Sequence, residues 1–588
     1  MQHPQPGRPA ILHVALGPGP GAGLVRRLPA PDALLARACG GRGLAGALLE
    51  ASLPPSPLSP LSWDDPRAAV CFAPGRLAGC SLPGAGHLAI AFLSPRTGGA
   101  AVASLGGGLG DALARAGLAA IVVTGRADHP VGLVVRDDTA ALADARELAG
   151  RPTPALFDAL AAWDAAAGIG PAAWAGSPLA TLVADRWHDA GGAGLGLALA
   201  AKNFAFLAAT GTASPAVADP QALGLAKAAM ERLIAASPAL AGACGFSRCG
   251  TAALVDLLAG RRMLPTDNFR RTFFPQSPAV NAPRLEAAHP ARAQACPGCP
   301  VGCRRVTADG RLLPDVDGLA HFTALLGLAD PELAVAARNR CLDLGLDAPG
   351  AAATLACRAE ITGHPLSPDR VLELLAAMGA MAGEGRELGR GAAGYAASRG
   401  RAGAAMQVKG VELPAFDPRG ASGLALSLAV APSGPDPWQG GCVAHELLRK
   451  PVATDRFTFE GKARAVVLGE NAVAAAASLG GCALLSLAVG LEEWALALAA
   501  VTGQLVTAGD LAVLGARTVR AERGRNARRG LGAADDDLPA RFFTEPGTGG
   551  DGFDVPPLSR TDFLAARAKY YRLRGCDADG RPVGPEAA

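Results

Sequence analysis

The sequence predicts an α+β protein, with a β-rich N-terminal domain followed by two mostly α-helical domains. Three observations predict it. The first third of the chain carries short apolar or alternating runs punctuated by Gly and Pro, the pattern of strands and turns. From Pro220 onward, apolar residues recur at helical spacing. A Pro/Gly-rich stretch, Leu413–Gly420, then interrupts the helical region. At 588 residues the chain is too long for one core, and roughly two to four domains are expected. The expected boundaries are 1–210, 211–415 and 416–588.

The strands are expected at Ala68–Ala73, His87–Leu93, Ala119–Thr124, Gly132–Val135 and Phe204–Ala209. Helices are expected at Gln221–Ala236, Pro331–Leu344, Ala351–Gly363, Asp369–Gly383 and Val467–Ser478. Asp219-Pro220 and Asp330-Pro331 each place a capping carboxylate before Pro at the first helical position, a start signal. The longest apolar stretch, Cys482–Val501, is broken by Glu492-Glu493 and reads as buried helix, with no membrane span.

Composition excludes several function classes. The net charge is +3 and Lys/Arg are not clustered, so nothing argues for nucleic acid. Aromatic residues reach only 4%, which leaves few platforms for stacked bases. The segment Met1–Pro6 has neither a basic region nor an apolar one, so no export signal is expected. Thirteen cysteines at irregular spacings then suit a reducing, cytoplasmic compartment. Most of them, Cys39, Cys71 and Cys80 included, are expected to be small buried hydrophobes.

Three cysteines stand apart. Cys296, Cys299 and Cys303 space as C-x2-C-x3-C, so three thiolates can converge on a soft metal centre. Pro297 and Pro300 stiffen the loop between them. A disulfide across so short a span would be strained and would leave one thiol over. Zn with four thiolates remains an alternative; the reading taken is an iron–sulfur cluster, [4Fe–4S]. Cys482, in the Gly-rich break Ser478–Cys482, is the candidate fourth ligand.

A collinear series of short motifs resembles the aldehyde:ferredoxin oxidoreductase family over nearly the whole chain. It begins with Gly40-Gly41-Arg42-Gly43-Leu44, Pro57-Leu58-Ser59-Pro60, Leu93–Gly98, Val123–Ala127 and His129-Pro130-Val131. Leu264–Phe269 precedes the cysteines. Gly345-Leu346-Asp347, Lys409–Pro414, Asp417–Gly420, Glu460–Ala463, Ser478–Cys482, Asp537-Leu538-Pro539 and Tyr570–Gly575 follow. The resemblance implies the β-plus-two-helical-domain fold and a tungsten (or molybdenum) bis-pyranopterin beside one [4Fe–4S] cluster, and it admits a Mg ion. Cys296, Cys299, Cys303 and Cys482 match the family's cluster ligands. His87, Ser104, Gly106, Gly107, Asp347, Gly480 and Gly481 fall on its cofactor-binding segments. It further implies oxidation of an aldehyde, or related oxo substrate, to a carboxylate, with ferredoxin or another iron–sulfur carrier taking the electrons.

The sequence also departs from the family pattern. His87 stands where an arginine is expected, Ser104 where an asparagine is, and Gly192 where a basic residue is. A neutral His or a Gly lacks the bidentate charge that suits phosphate. Leu342 and Ala477 replace the first acids of two pterin motifs, while Asp347 is kept. Asp315 or Asp317 stands where the family has glutamates, and Pro437 replaces its histidine, with His445 nearby as a substitute. Asp317 and His445 are therefore the catalytic candidates. The alternative is a catalytically degenerate paralogue acting as an electron-transfer or structural subunit, or an aryl-CoA-reductase-like subunit. A homo-oligomer or a place in a larger complex suits either.

Overall fold

Small residues set the architecture of the first 210 positions, because they let two sheets and a helix approach closely. In the computed structural model, which describes residues 9–18, 23–54, 61–449, 452–549 and 552–584, this region forms two six-stranded sheets. The segments Met1–Pro6 and Pro57–Pro60 lie outside the described residues.

The first sheet comprises β1 (Ala10–Leu16), β2 (Gly23–Pro29), β3 (Val70–Pro74), β4 (Leu88–Leu93), β5 (Ala100–Leu105) and β6 (Leu118–Gly125), ordered β2-β1-β6-β3-β4-β5. β1 runs parallel to β6, and the other neighbours are antiparallel. β3 and β4 are buried along their whole length. Their side chains alternate between two cores, as period-2 geometry requires. Cys71, Ala73, Ala89 and Ala91 face the helix Gly41–Ser52 through Leu44, Ala45 and Leu49. Phe72, Ile90 and Phe92 join the large core that includes the second sheet.

That second sheet holds β7 (Val131–Arg136), β8 (Thr139–Asp144), β9 (Ala165–Ile169), β10 (Leu182–Ala184), β11 (His188–Asp189) and β12 (Phe204–Thr210), ordered β11-β10-β9-β12-β7-β8. Every strand expected from sequence is present. Among those not anticipated, β5 (AAVASL) and β9 (AAAGI) are alanine-rich, and Ala and Gly carry little strand propensity. Packing decides their conformation.

After Thr210 the chain is mostly helical. Asp219 accepts from the Ala222 N–H at 2.9 Å and Asp330 from the Leu333 N–H at 3.1 Å, so both caps form as the sequence predicts. Their helices are Pro220–Ala236 and Pro331–Leu344. Ala348–Thr362, Pro368–Gly379 and Lys462–Leu479 fill the other expected positions. The apolar stretch after Cys482 is a 3-10 turn, Ala483–Leu487, and a helix, Leu491–Thr502. No helix among the described residues is long and apolar enough to cross a membrane. The stretch Leu413–Gly420 is wholly buried, so its Pro and Gly shape an irregular path through the interior. All thirteen cysteines are free; Cys71 is buried, whereas Cys39 and Cys80 are half-buried.

Among the contacts that tie the two regions together, one is made by backbone hydrogen bonds. The glycine-rich segment 75–87 between β3 and β4 docks on the loop after Lys462–Leu479 through backbone alone. Arg76 N–H donates to Ser478 O at 3.2 Å, Leu77 N–H to Leu479 O at 3.1 Å, His87 N–H to Gly480 O at 3.0 Å, and Cys482 N–H to Gly84 O at 2.9 Å. A Cβ on Gly75 would lie 2.0 Å from the Gly480 nitrogen. Gly480 itself has φ +93°, a left-handed conformation that costs other residues. Gly75→Ala is therefore expected to lower stability by about 1–3 kcal/mol, the usual range for overpacking. Gly224→Ala, on a helix face with nothing within 4 Å of the added methyl, is expected to raise it by about 0.5–1 kcal/mol. Thermal denaturation of both variants checks the pair; equal melting temperatures would contradict the docking argument.

Candidate functional site

The docked backbones leave a cavity of about 440 Å³ where the two sheets meet the helical region. Cys296, Cys299, Cys303 and Cys482 all line it. The loop after β5 lies against the cysteines: the Gly107 N–H donates to Cys296 Sγ at 3.3 Å. A Cβ on Gly106 would lie 2.9 Å from His188 Nδ1 and 3.4 Å from Cys296 Sγ, so only glycine fits there. Burial pushes the Cys303 thiol up to about 12, with Arg304 opposing and the other three cysteines adding to it. Burial likewise raises Cys299, and Cys482 adds to the rise. Four thiols within electrostatic reach need a strongly positive centre to hold them all as thiolates.

Among the described residues, no three His, Cys, Asp or Glu side chains close on one point as a single ion requires. All four cysteines line the same cavity. A four-iron cluster takes one thiolate per iron, so it spreads its ligands more widely than one tetrahedral ion does. The donor set, four cysteines on one cavity, has the chemistry such a cluster takes.

The cofactor candidates divide. His87, Ser104, Gly106, Asp347 and Gly481 line the cavity. Gly107 and Gly480 stand just behind it, Gly107 bonding Cys296 and Gly480 shaping the docked loop. His87 Nδ1 and Ser104 Oγ are hydrogen-bonded at 3.0 Å. Asp347 caps the helix Ala348–Thr362, its Oδ2 accepting from Gly350 N–H at 3.2 Å. Burial pushes its carboxyl up to about 7; Arg96 opposes the rise and Glu412 adds to it.

Arg96 is a residue that sequence reasoning missed. Its guanidinium donates to Gly192 O and to Gly410 O at 2.7 Å each and to Glu412 Oε2 at 2.5 Å, and lies 3.8 Å from Asp347 Oδ2. A cation thus stands beside Gly192, the position with no basic side chain of its own. The signal was its place in the motif Leu93–Gly98, three residues after the end of the fully buried strand β4.

The two aspartates separate cleanly. Asp315 caps the helix Val316–Phe322 and accepts from Arg304 Nη1 at 2.6 Å. Burial alone would raise its pKa, but Arg338 and Arg304 hold it well below the usual carboxylate range. Asp317 also lines the cavity, where burial and then the Asp315 charge push it up to about 7. Its Oδ1 accepts from Ala415 N–H at 2.7 Å. Asp317, like Asp347, is a carboxyl that can exchange a proton near neutrality, and unlike Asp347 it is not within ion-pair distance of an arginine. Pro437 lines the cavity as well. His445 does not: it sits in the π-helical turn Val443–Leu448, with Nδ1 3.3 Å from Val452 O. Arg304, Arg338, His188 and Asp189 also line the cavity, unmarked by any sequence motif.

Comparisons with known proteins bear on the fold and the family. Residues 12–211 match the family described as aldehyde ferredoxin oxidoreductase, N-terminal domain, and residues 225–585 match its domains 2 and 3. The tungsten-containing aldehyde ferredoxin oxidoreductase of Pyrococcus furiosus is 30% identical over 569 residues, covering 92% of each chain. The protein of the same name from Thermococcus kodakarensis is 29% identical over 572 residues, again with 92% of each covered. Among solved structures, the active-site complex BamBC of benzoyl coenzyme A reductase, in complex with 1,5-dienoyl-CoA, superposes with a TM-score of 0.80. It covers 98% of this chain and 96% of that one at 19% identity, a likeness of fold. The chain belongs to the aldehyde ferredoxin oxidoreductase family, as a divergent member.

The Arg304–Asp315–Arg338 group yields a stability test. Removing one partner of a buried ion pair costs about 3–5 kcal/mol. The folded pKa of Asp315 lies below its unfolded value of about 3.9, so its contribution is full above about pH 4 and is lost as pH falls through the folded value. Asp315→Asn is expected to lower the melting temperature at pH 7, with the gap from wild type closing toward pH 2. A pH-independent gap would contradict the assignment.

Proposed function

We propose that the protein is a cytoplasmic tungsten- or molybdenum-pterin oxidoreductase. It oxidises an aldehyde, or a related carbonyl-level substrate, to the acid and passes electrons through one [4Fe–4S] cluster to ferredoxin or a similar carrier. The observation that carries the reading is the meeting of four cysteines and a carboxyl poised near neutrality in one cavity. The metal–pterin group, when bound, supplies two-electron chemistry at the carbonyl carbon.

This chain's residues do the rest. Cys296, Cys299, Cys303 and Cys482 hold the cluster. Gly106 and Gly481 allow close backbone approach to the cofactor, and the His87–Ser104 pair offers polar atoms beside them. A Mg ion, if the cofactor brings one, would sit with its phosphates rather than among the carboxylates already paired with arginines. Asp317 takes the proton that leaves as oxygen is added. The buried walls keep bulk water from the reacting carbon.

A second reading has its own support. Pro437 in the family's histidine position and Asp317 in its glutamate position alter the reacting end of the cavity. The fold likeness to BamBC accords with a subunit of a larger complex working on a thioester or relaying electrons.

Two experiments test the proposal. Anaerobically purified protein is expected to contain about four irons and four labile sulfides per chain, with tungsten or molybdenum and a pterin. Cys482→Ala should lower iron content, whereas Cys442→Ala, buried outside the cavity, should not. One zinc with no iron would overturn the cluster.

With a viologen acceptor, kcat/KM should rise as pH passes through about 7, because a base works only when deprotonated. Asp317→Asn should remove that limb and slow turnover by about 10²–10⁴-fold, with metal content unchanged. A fully metallated protein inert toward aldehydes and thioesters would leave the electron-relay reading.

A further inference from the structure

His321 is fully buried, and the proposed function leaves it without a role. It stands one turn after Asp317 on the helix Val316–Phe322. Both ring nitrogens face backbone carbonyls: Nδ1 lies 2.9 Å from Asp317 O and Nε2 3.1 Å from Leu413 O. A neutral ring carries one N–H. Burial lowers the pKa of the ring, against the pull of the two carbonyls and of the Asp315 and Glu412 charges. The single N–H belongs on Nε2, because the two carbonyls differ. Asp317 O sits inside the helix, where the i to i−4 ladder brings it the His321 backbone N–H. Leu413 O is buried, and among the described residues the His321 ring is the donor it meets.

Two residues on, the same stretch of chain returns the contact. Ala415 N–H donates to Asp317 Oδ1 at 2.7 Å. Between the two rungs stands Pro414, which has no N–H to offer and lines the cavity, as Asp317 does. The segment 413–415 is thus clipped to the helix by two hydrogen bonds, one given by His321 and one taken by Asp317. The second bears on ionisation. Burial drives the rise in the Asp317 pKa, Asp315 on the same helix adds to it, and the Ala415 N–H opposes it. Asp436 and Asp189 add to the rise from the cavity wall. Arg304 and Arg338 stand behind Asp315, paired with it.

We infer that His321 is a positioning residue: by holding Leu413 O through Nε2, it keeps Ala415 N–H against the Asp317 carboxyl and so fixes the proton acceptor on the cavity wall. The inference rests on the reading of Asp317 as proton acceptor given above.

The test uses the full-length holoenzyme with an amide in place of the ring. A Gln side chain carries its amide nitrogen about as far out as Nε2, whereas Asn carries its own only as far as Nδ1. His321→Gln should therefore keep the rung to Leu413 O, and His321→Asn should lose it. Without that rung the Ala415 N–H no longer meets Asp317, the charged carboxylate loses a donor, and its pKa rises. The rising limb of kcat/KM, expected at about pH 7 in wild type, should move up by about 1–2 pH units in His321→Asn, as loss of a hydrogen bond to a charged group implies. In His321→Gln it should hold.

A limb that stays in place in both variants, or moves equally in both, would overturn the inference and leave His321 as a packed ring. The Asp317 carboxyl is also read without turnover, from the pH titration of the carbon-13 aspartate resonance that Asp317→Asn removes. If the protein turns over no substrate, the function reading fails on its own, and the difference between Gln and Asn in that titration still decides the inference. Should His321→Asn fail to fold, His321→Leu, close to the ring in volume and without a donor, takes its place. Failure of both to fold would make the ring a requirement of the core and would overturn the inference as well.

Discussion

The backbone docking between segment 75–87 and the Ser478–Cys482 loop is the constraint on which the rest depends. It joins a loop between two strands of the first sheet to a loop some four hundred residues later. No side chain mediates it, and the close approach at Gly75 and Gly480 excludes any Cβ. Its consequence is chemical. The Cys482 N–H is held by Gly84 O, which fixes the thiol on the same cavity as the cysteines 180 residues earlier. Shape and ligand set follow from one interaction.

Around that frame the cavity is wired with buried charge. Arg304, Asp315, Arg338 and Asp189 form one chain of ion pairs, and Arg96, Glu412 and Asp347 form another. Buried pairs add little net stability, because desolvation offsets attraction; their use here is to set protonation. Asp315 is locked as an anion, and its charge helps keep Asp317 near the point of half-protonation. Arg96 shows that a niche without its own basic side chain still holds a cation. The position Gly192 has no side chain, yet its carbonyl receives a guanidinium from a different strand end.

Much of this was legible in the sequence. The C-x2-C-x3-C spacing, the Asp-Pro helix starts and the switch of hydrophobic period at Pro220 each have a local cause, so each can be read locally. The alanine-rich strands β5 and β9 could not be read, because tertiary packing and not propensity makes them strands. Arg304 and Arg338 were invisible for a related reason. An arginine looks alike in sequence whether it faces solvent or closes a buried pair, and only the fold decides. His445 is the converse case, near Pro437 in sequence but not on the cavity. Eight residues separate it from Pro437, and the π-helical turn carries it away from the cavity wall.

The central claim is that one cavity presents four thiolates to one cluster, with Cys482 as the fourth ligand. Low-temperature electron paramagnetic resonance of the anaerobically purified protein, as isolated and after dithionite reduction, tests it most directly. The account predicts silence as isolated and a fast-relaxing S = 1/2 signal on reduction, the signature of a [4Fe–4S] cluster with four protein ligands. A three-iron signal in the protein as isolated, or no signal in either state, would contradict it.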